Sequence, residues 1–182
     1  LEYLQGSDEG NADDIAVGSV LEVVLDEDNQ AVSVTVRNLN AGGGFGGSGE
    51  VTNGTSANTI TEDTEVDSET YISTGDDENA LRVDGATVIL KDITIEKTAG
   101  SSSNTEDGDF YGQNAGLLVL NGATATITGA TVNTSVTNGN GVFSYGEGTV
   151  VNISDSTIRT TENNSGGIQT TGGGTMNAAN LA

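Results

Sequence analysis

The 182-residue chain has no cysteine and no histidine. A disulfide scaffold is therefore excluded, and so are the usual structural zinc sites and every Ser-His or Cys-His nucleophile system. Basic residues are almost as scarce. Five Lys and Arg stand against 27 Asp and Glu, for a net charge of −22. The acidic residues run through the whole chain rather than forming a tail. Such a surface repels phosphate backbones and anionic membranes, which argues against nucleic-acid partners and membrane insertion, and it attracts cations, calcium among them. No apolar run approaches the roughly 18–20 residues of a membrane-spanning helix. Leu1 is not an initiator Met and no charged, apolar leader follows it. The sequence reads as a mature fragment of something longer.

What is present is glycine (27 residues), with abundant Thr, Asn and Val and only three Phe and four Tyr. So polar a chain would suit disorder, but its Val, Ile and Leu are placed too regularly. From residue 78 onward the segments ENALRVDGATVILKDITIEKT, NAGLLVLNGATATITGATVNTS, GNGVFSYGEGTVVNISDSTIRTT and SGGIQTTGGGTMNAANLA stack. Each holds an apolar entry strand, a glycine-containing turn, an alternating strand, a two-residue break and a second short alternating strand. Val88, Ala125, Val151 and Met176 share one inward position, and Leu90, Ile127, Ile153 and Ala178 share the next. Beyond the break come Ile93, Ala130, Ser156 and Leu181, then Ile95, Val132 and Ile158. The second residue of the break is Asp92, Gly129, Asp155 or Asn180, the types that best tolerate a left-handed backbone. Breaks recur at spacings of 37, 26 and 25 residues.

Coils of about 25 residues with three short strands predict an all-β chain, a right-handed parallel β-helix over residues 59–182, truncated at its C-terminus; the hand follows from the general crossover rule. An irregular earlier coil is expected around Tyr71 and Ile72. Residues 39–58, rich in Gly, Ser and Asn, read as a linker or loop. Residues 1–38 hold two alternating strands around Asp26 and Gln30, a β-hairpin or the remnant of a small β-domain. Asn79, Asn114 and Asn140, with Ser165, mark one corner and suggest a ladder of stacked amides.

The 37-residue coil carries the excess in SSSNTEDGDFYGQNAG, an insertion at that Asn corner. Glu106, Asp107 and Asp109 could offer oxygens to calcium, and Asp76 and Asp77 lie at the same corner one coil earlier, close enough in the predicted fold to share the ion. Phe110 and Tyr111, with Gln113, could contact a saccharide. The plainer alternative is a connector whose aromatic pair folds back over apolar surface, and solvated acidic turns.

The segments STGDDENALRVDGATV, SSNTEDGDFYGQNAG, NGNGVFSYGEGTVVNISDST and NSGGIQTTGGGTMNAANL resemble a family of large exported β-helix proteins of gut and soil Firmicutes, described as right-handed β-helix or adhesin-like proteins. The resemblance spans about residues 60–182, with the DFYGxNAG loop and GGGT turn as its most specific elements. It implies export and display at the cell surface or wall, and it carries over no enzymatic activity. Three functions follow as expectations. One is an extracellular adhesin or carbohydrate-binding module that meets a polysaccharide or host glycan. Another is a structural spacer or fibre protomer that self-associates through its ends. The third is a polysaccharide lyase or hydrolase with its active site in missing coils. Against the third, none of the five basic residues (Arg37, Arg82, Lys91, Lys97, Arg159) joins an outward column with paired carboxylates, as these chemistries need.

Overall fold

The computed structural model describes residues 2–5, 8–9, 11, 20–26, 30–37 and 52–182. They fall into two compact units, Leu1–Gly49 and Glu50–Ala182. In the first, Val20–Leu25 and Ala31–Arg37 pair antiparallel, as the alternating, β-branched sequence predicts. The turn is closed by Asp26 N–H to the Gln30 carbonyl and Gln30 N–H to Asp26 Oδ1, each 2.9 Å. The hairpin is part of a larger sheet. Glu2–Gln5 lies parallel to Ala31–Arg37, and Asp8–Glu9 runs antiparallel on its far edge.

The second unit is a parallel β-solenoid of about five turns with about 26 residues per turn. Three sheets run along it. The first stacks Thr59–Ile60, Leu81–Asp84, Leu117–Leu120, Val142–Tyr145 and Ile168–Thr171. The second stacks Thr64–Asp67, Thr87–Lys91, Thr124–Thr128, Val150–Ser154 and Thr175–Ala179. The third stacks Thr70–Ser73, Thr94–Lys97, Thr131–Thr134 and Thr157–Thr160. Alternation puts every second side chain inside, and the registers are those the repeats predict: Val88, Ala125, Val151 and Met176 in one file, Leu90, Ile127, Ile153 and Ala178 in the next. Ile95, Val132 and Ile158 form a third. Most of these side chains are fully buried, and each large aliphatic removed from water contributes about 1.5–3 kcal/mol.

Between the second and third sheets one residue turns the chain. Asp92, Gly129, Asp155 and Asn180 all have left-handed backbones (φ 48°, 71°, 51° and 53°), and Ser68 does the same in the first coil (φ 58°). That coil is more regular than the sequence suggests: Val66 pairs with Leu90 and Tyr71 with Ile95, while Ile72 points outward beside Glu96. The solenoid also starts earlier than residue 59. Thr55–Ser56 pairs in parallel with Glu78–Asn79, so the end of the expected 39–58 linker is solenoid strand, its pairing set by backbone amides rather than apolar pattern. Residues 39–51 of that linker lie outside the described residues.

Candidate functional site

The insertion is a helix, not an open loop. Thr105–Tyr111 is α-helical, with Asn104 as N-cap, its side-chain oxygen accepting from Glu106 N–H at 2.9 Å. Gly112 (φ 72°) ends it, and Asn114 (φ 68°) returns the chain to the coil. Asn at the cap and Gly at the stop were visible signals in the sequence, but a helix of only seven residues has no intrinsic stability in water. It exists because the solenoid bonds it.

Those bonds come from side chains of four coils. The last carbonyls of a helix lack intrahelical partners, and here each is met. Asn140 Nδ2 donates to Gly108 O (3.2 Å) and Gln169 Nε2 to Asp109 O (2.5 Å). Thr171 Oγ1 donates to Phe110 O, Asn53 Nδ2 to Tyr111 O (2.5 Å) and Asn79 Nδ2 to Gly112 O (2.8 Å). Asn138 Nδ2 reaches Asp109 Oδ1 at 2.7 Å. The expected amide ladder is therefore not what forms. Asn79 and Asn140 both lie fully buried at the corner, yet their amides go to helix carbonyls rather than to each other. Asn114 is one residue off their column, since Ala115 is the residue that falls between Asn79 and Asn140, and its Nδ2 donates to Thr137 O at 2.9 Å. Ser165 is off the column in the same way, since Gly166 falls opposite Asn140.

Beneath the helix lies a second, smaller apolar cluster, Ala115, Leu118, Leu120 and Phe143, with Tyr145 packed against it. These residues, Ala115 apart, point outward from the first sheet; without a cover, Leu118 and Phe143 would face water. Gly112 sits so near them that a Cβ there would be 2.7 Å from Leu118 Cδ1 and 3.0 Å from the Phe143 ring. Tyr111 packs edge-on against Tyr145, ring centres 5.5 Å apart and planes at 85°. Phe110 differs, with 42% of its surface exposed. Of the expected saccharide contacts, then, Phe110 is at the surface, Tyr111 is half-buried in an aromatic pair, and Gln113 is inside (2% exposed), its Oε1 3.5 Å from Ser102 Oγ. Gln113 therefore cannot serve as a surface contact: its side chain is enclosed beside Ser102 and Gly54.

The two acidic stretches do adjoin. Asp76 Oδ1 accepts from Ser101 N–H (2.6 Å) and Ser101 Oγ (3.1 Å), and Asp77 Oδ1 accepts from Ser103 N–H (2.7 Å). These bonds hold the outgoing leg of the insertion, and they keep the Asp76 carboxyl below its usual range. Burial raises the Asp107 carboxyl, against hydrogen bonds from Asn104 and the Thr52 amide, and the Asp77 charge raises it further. Burial likewise raises Asp109, with the Asn138 bond opposing. Among the described residues no three His, Cys, Asp or Glu side chains are gathered so as to hold a metal ion; Asp76, Asp77, Asp107 and Asp109 work as acceptors for the chain's own donors, and Glu106 sits half-buried on the helix.

Sequence reasoning missed Lys97. It is fully buried at the neck of the insertion. In the other coils the same inward position holds Ser73, Thr134 or Thr160, whose hydroxyls bond the carbonyl five residues on: Glu78, Gly139 and Ser165. The insertion carries that partner away. Lys97 instead reaches back a coil, its Nζ donating to Gly75 O (2.5 Å) and Ser73 Oγ (3.2 Å). Burial lowers its pKa, while the Glu78, Asp76 and Asp77 charges oppose that shift. A break in the Ser/Thr file was the available signal.

Compared with known proteins, the chain matches no family model, no curated protein and no solved structure.

Proposed function

We propose that the chain is an extracellular or cell-wall protein whose solenoid acts as an adhesin or carbohydrate-binding module, without catalysis. One observation carries this reading: an exposed aromatic ring, Phe110, stands on a rigid support. Seven residues of helix are bonded through five successive carbonyls to side chains of the coils, and the neighbouring Tyr111 and Tyr145 lock each other by their perpendicular packing. A ring fixed before its ligand arrives loses little entropy on binding. The apolar face of a pyranose, laid on such a ring, removes surface from water on both partners. The resemblance to exported Firmicutes β-helix proteins agrees with surface display.

The test is a glycan array with the intact chain, with calcium added and with calcium chelated, alongside Phe110→Ala. Retained glycans that Phe110→Ala releases support the reading; an array blank in both conditions sinks it. A second reading, a structural spacer or fibre protomer, draws on the outward faces. Thr70, Thr94, Thr131 and Thr157 form a continuous file on the third sheet, and Asn177 Nδ2 bonds Asn152 Oδ1 at 2.8 Å on the second. These are polar surfaces that repeat from coil to coil. Concentration-dependent filaments in small-angle scattering favour that reading; particles of constant mass count against the fibre form of it.

A further inference from the structure

The outward face of the second sheet changes along the solenoid. Thr126, Asn152 and Asn177 form one outward file, which Glu65 and Ile89 begin; Thr128, Ser154 and Ala179 form the next, which Lys91 precedes. In the early coils the two files are tied together, because Lys91 crosses to an ion pair with Glu65. In the later coils the side chains of both files are short and none is ionisable, and a groove opens between them. Its volume is about 250 Å³, and Thr126, Asn152, Ser154, Asn177 and Ala179 line it. Backbone makes the floor, since Ile127 and Ile153 turn their side chains into the core.

The groove offers hydrogen bonds without charge. Asn177 Nδ2 donates to Asn152 Oδ1 at 2.8 Å, which orients both amides and leaves Asn152 Nδ2 and Asn177 Oδ1 with no bond inside the chain among the described residues. A donor and an acceptor are thus held beside the hydroxyls of Thr126 and Ser154, each of which can both donate and accept. The carboxylate next to Ser154, Asp155, accepts from Asn180 Nδ2 at 2.9 Å. Strands Thr124–Thr128 and Val150–Ser154 are paired along both edges, so their peptide groups have nothing left for an incoming peptide strand. Ile89, 40% exposed, continues the first file as an apolar step beside Thr126. Neutral hydroxyls on an otherwise apolar ring match such a lining. A uronate would find no cation there, since Lys91 is spent on Glu65.

We infer that this groove is a binding site for an uncharged polysaccharide, laid along the solenoid axis across strands about 4.8 Å apart. The inference rests on the carbohydrate-binding reading for the class of its ligand, but not on Phe110, whose helix covers the first sheet.

The experiment titrates the intact chain with uncharged β-1,4-linked oligomers of glucose, mannose and N-acetylglucosamine, and with a galacturonate oligomer. At least one uncharged oligomer is expected to bind, with an affinity that changes by less than about twofold between low and high salt. Asn152→Ala and Asn177→Ala should each weaken it by about tenfold. Thr126→Glu combined with Ser154→Lys repeats the Glu65–Lys91 pair further along the same two files. That variant should close the groove and abolish binding, while its denaturant midpoint stays near that of the unmodified chain. If the uncharged oligomer binds all three groove variants as it binds the unmodified chain, the inference is overturned; loss of that binding in Phe110→Ala would then leave the carbohydrate-binding reading standing. If only the galacturonate oligomer binds, the inference fails and the broader reading survives. If none of the four binds, both fail together.

Discussion

The solenoid turns two of its corners by different means. At the corner holding Ser68, Asp92, Gly129, Asp155 and Asn180, a single left-handed residue bends the chain, and four residue types serve. At the corner holding the helix, geometry is set by contacts between residues 29 to 61 positions apart, such as Asn138 to Asp109 and Thr171 to Phe110. The first corner depends on local backbone preference. The second depends on buried side chains that bond a segment unable to fold alone. A mutation should therefore be cheap at one and costly at the other.

The largest effect is expected beneath the helix. Phe143→Ala empties the centre of the second cluster and should cost about 3–5 kcal/mol, as large buried aromatics do. Gly112→Ala should cost about 2–5 kcal/mol, combining a left-handed backbone with a Cβ pressed against two fully buried side chains. Gly129→Asn at the other corner should stay within about 1 kcal/mol, since Asn accepts that backbone and the one atom in its way, Asp92 Oδ1, is the free end of a side chain. Denaturant midpoints at constant m measure all three. Similar losses for Gly112→Ala and Gly129→Asn would erase the distinction drawn between the corners.

Next come the polar clamps. Asn140 donates to Gly108 O and accepts from Gly166 N–H (2.8 Å), and it is wholly buried. Asn140→Ala leaves two backbone groups without partners and should cost about 2–4 kcal/mol. Asn152 makes a comparable-looking bond to Asn177 on an exposed sheet face, and Asn152→Ala should change stability by less than about 0.5 kcal/mol. Increased amide exchange confined to residues 104–113 in Asn140→Ala would identify the helix as what is released; loss spread evenly over the coils would show that Asn140 supports the corner rather than the clamp.

The same contrast explains what could be read from the sequence. Strand files such as Val88, Ala125, Val151 and Met176 were legible because burial repeats with period two and coil length repeats near 25. The left-handed file was legible because Asp, Asn and Gly declare that backbone. The helix was not, since its caps, Asn104 and Gly112, are common loop residues and its support is spread over Asn53, Asn79, Asn140, Gln169 and Thr171. Gln113 looked available because nothing local distinguishes a polar residue turned inward from one turned out. Lys97 read only as one of five scattered basic residues, and the interrupted Ser73–Thr134–Thr160 file is the signal that sets it apart.

Acidity should separate the helix from the leg that precedes it. Asp107 and Asp109 have raised pKa values when folded, so the folded chain binds protons before the unfolded chain does, and their effect is to raise stability as pH falls from neutral toward the ordinary carboxylate range. Asp76 is lowered; its contribution is present at neutral pH and is lost as pH falls below that range. Asp107→Asn should therefore raise the melting temperature modestly at pH 7 and flatten the rise seen on mild acidification. An unchanged acid-side slope would mean that Asp107 does not carry the penalty its burial implies.

The smallest effect expected is that of divalent cations. Both acidic stretches meet at the insertion, but Asp76 and Asp77 already receive the Ser101 and Ser103 amides, and Asp109 receives Asn138. To bind calcium tightly the ion would have to displace these bonds and still find six to eight oxygens. A chain of net charge −22 nevertheless gains from any counter-ion, through relief of self-repulsion. Calcium and magnesium should thus raise the melting temperature alike, by no more than about 2 °C beyond sodium at matched ionic strength. A larger shift with calcium alone, abolished in Asp77→Asn, would instead make the insertion corner a calcium site and turn the helix from a covered connector into a metal-ordered one.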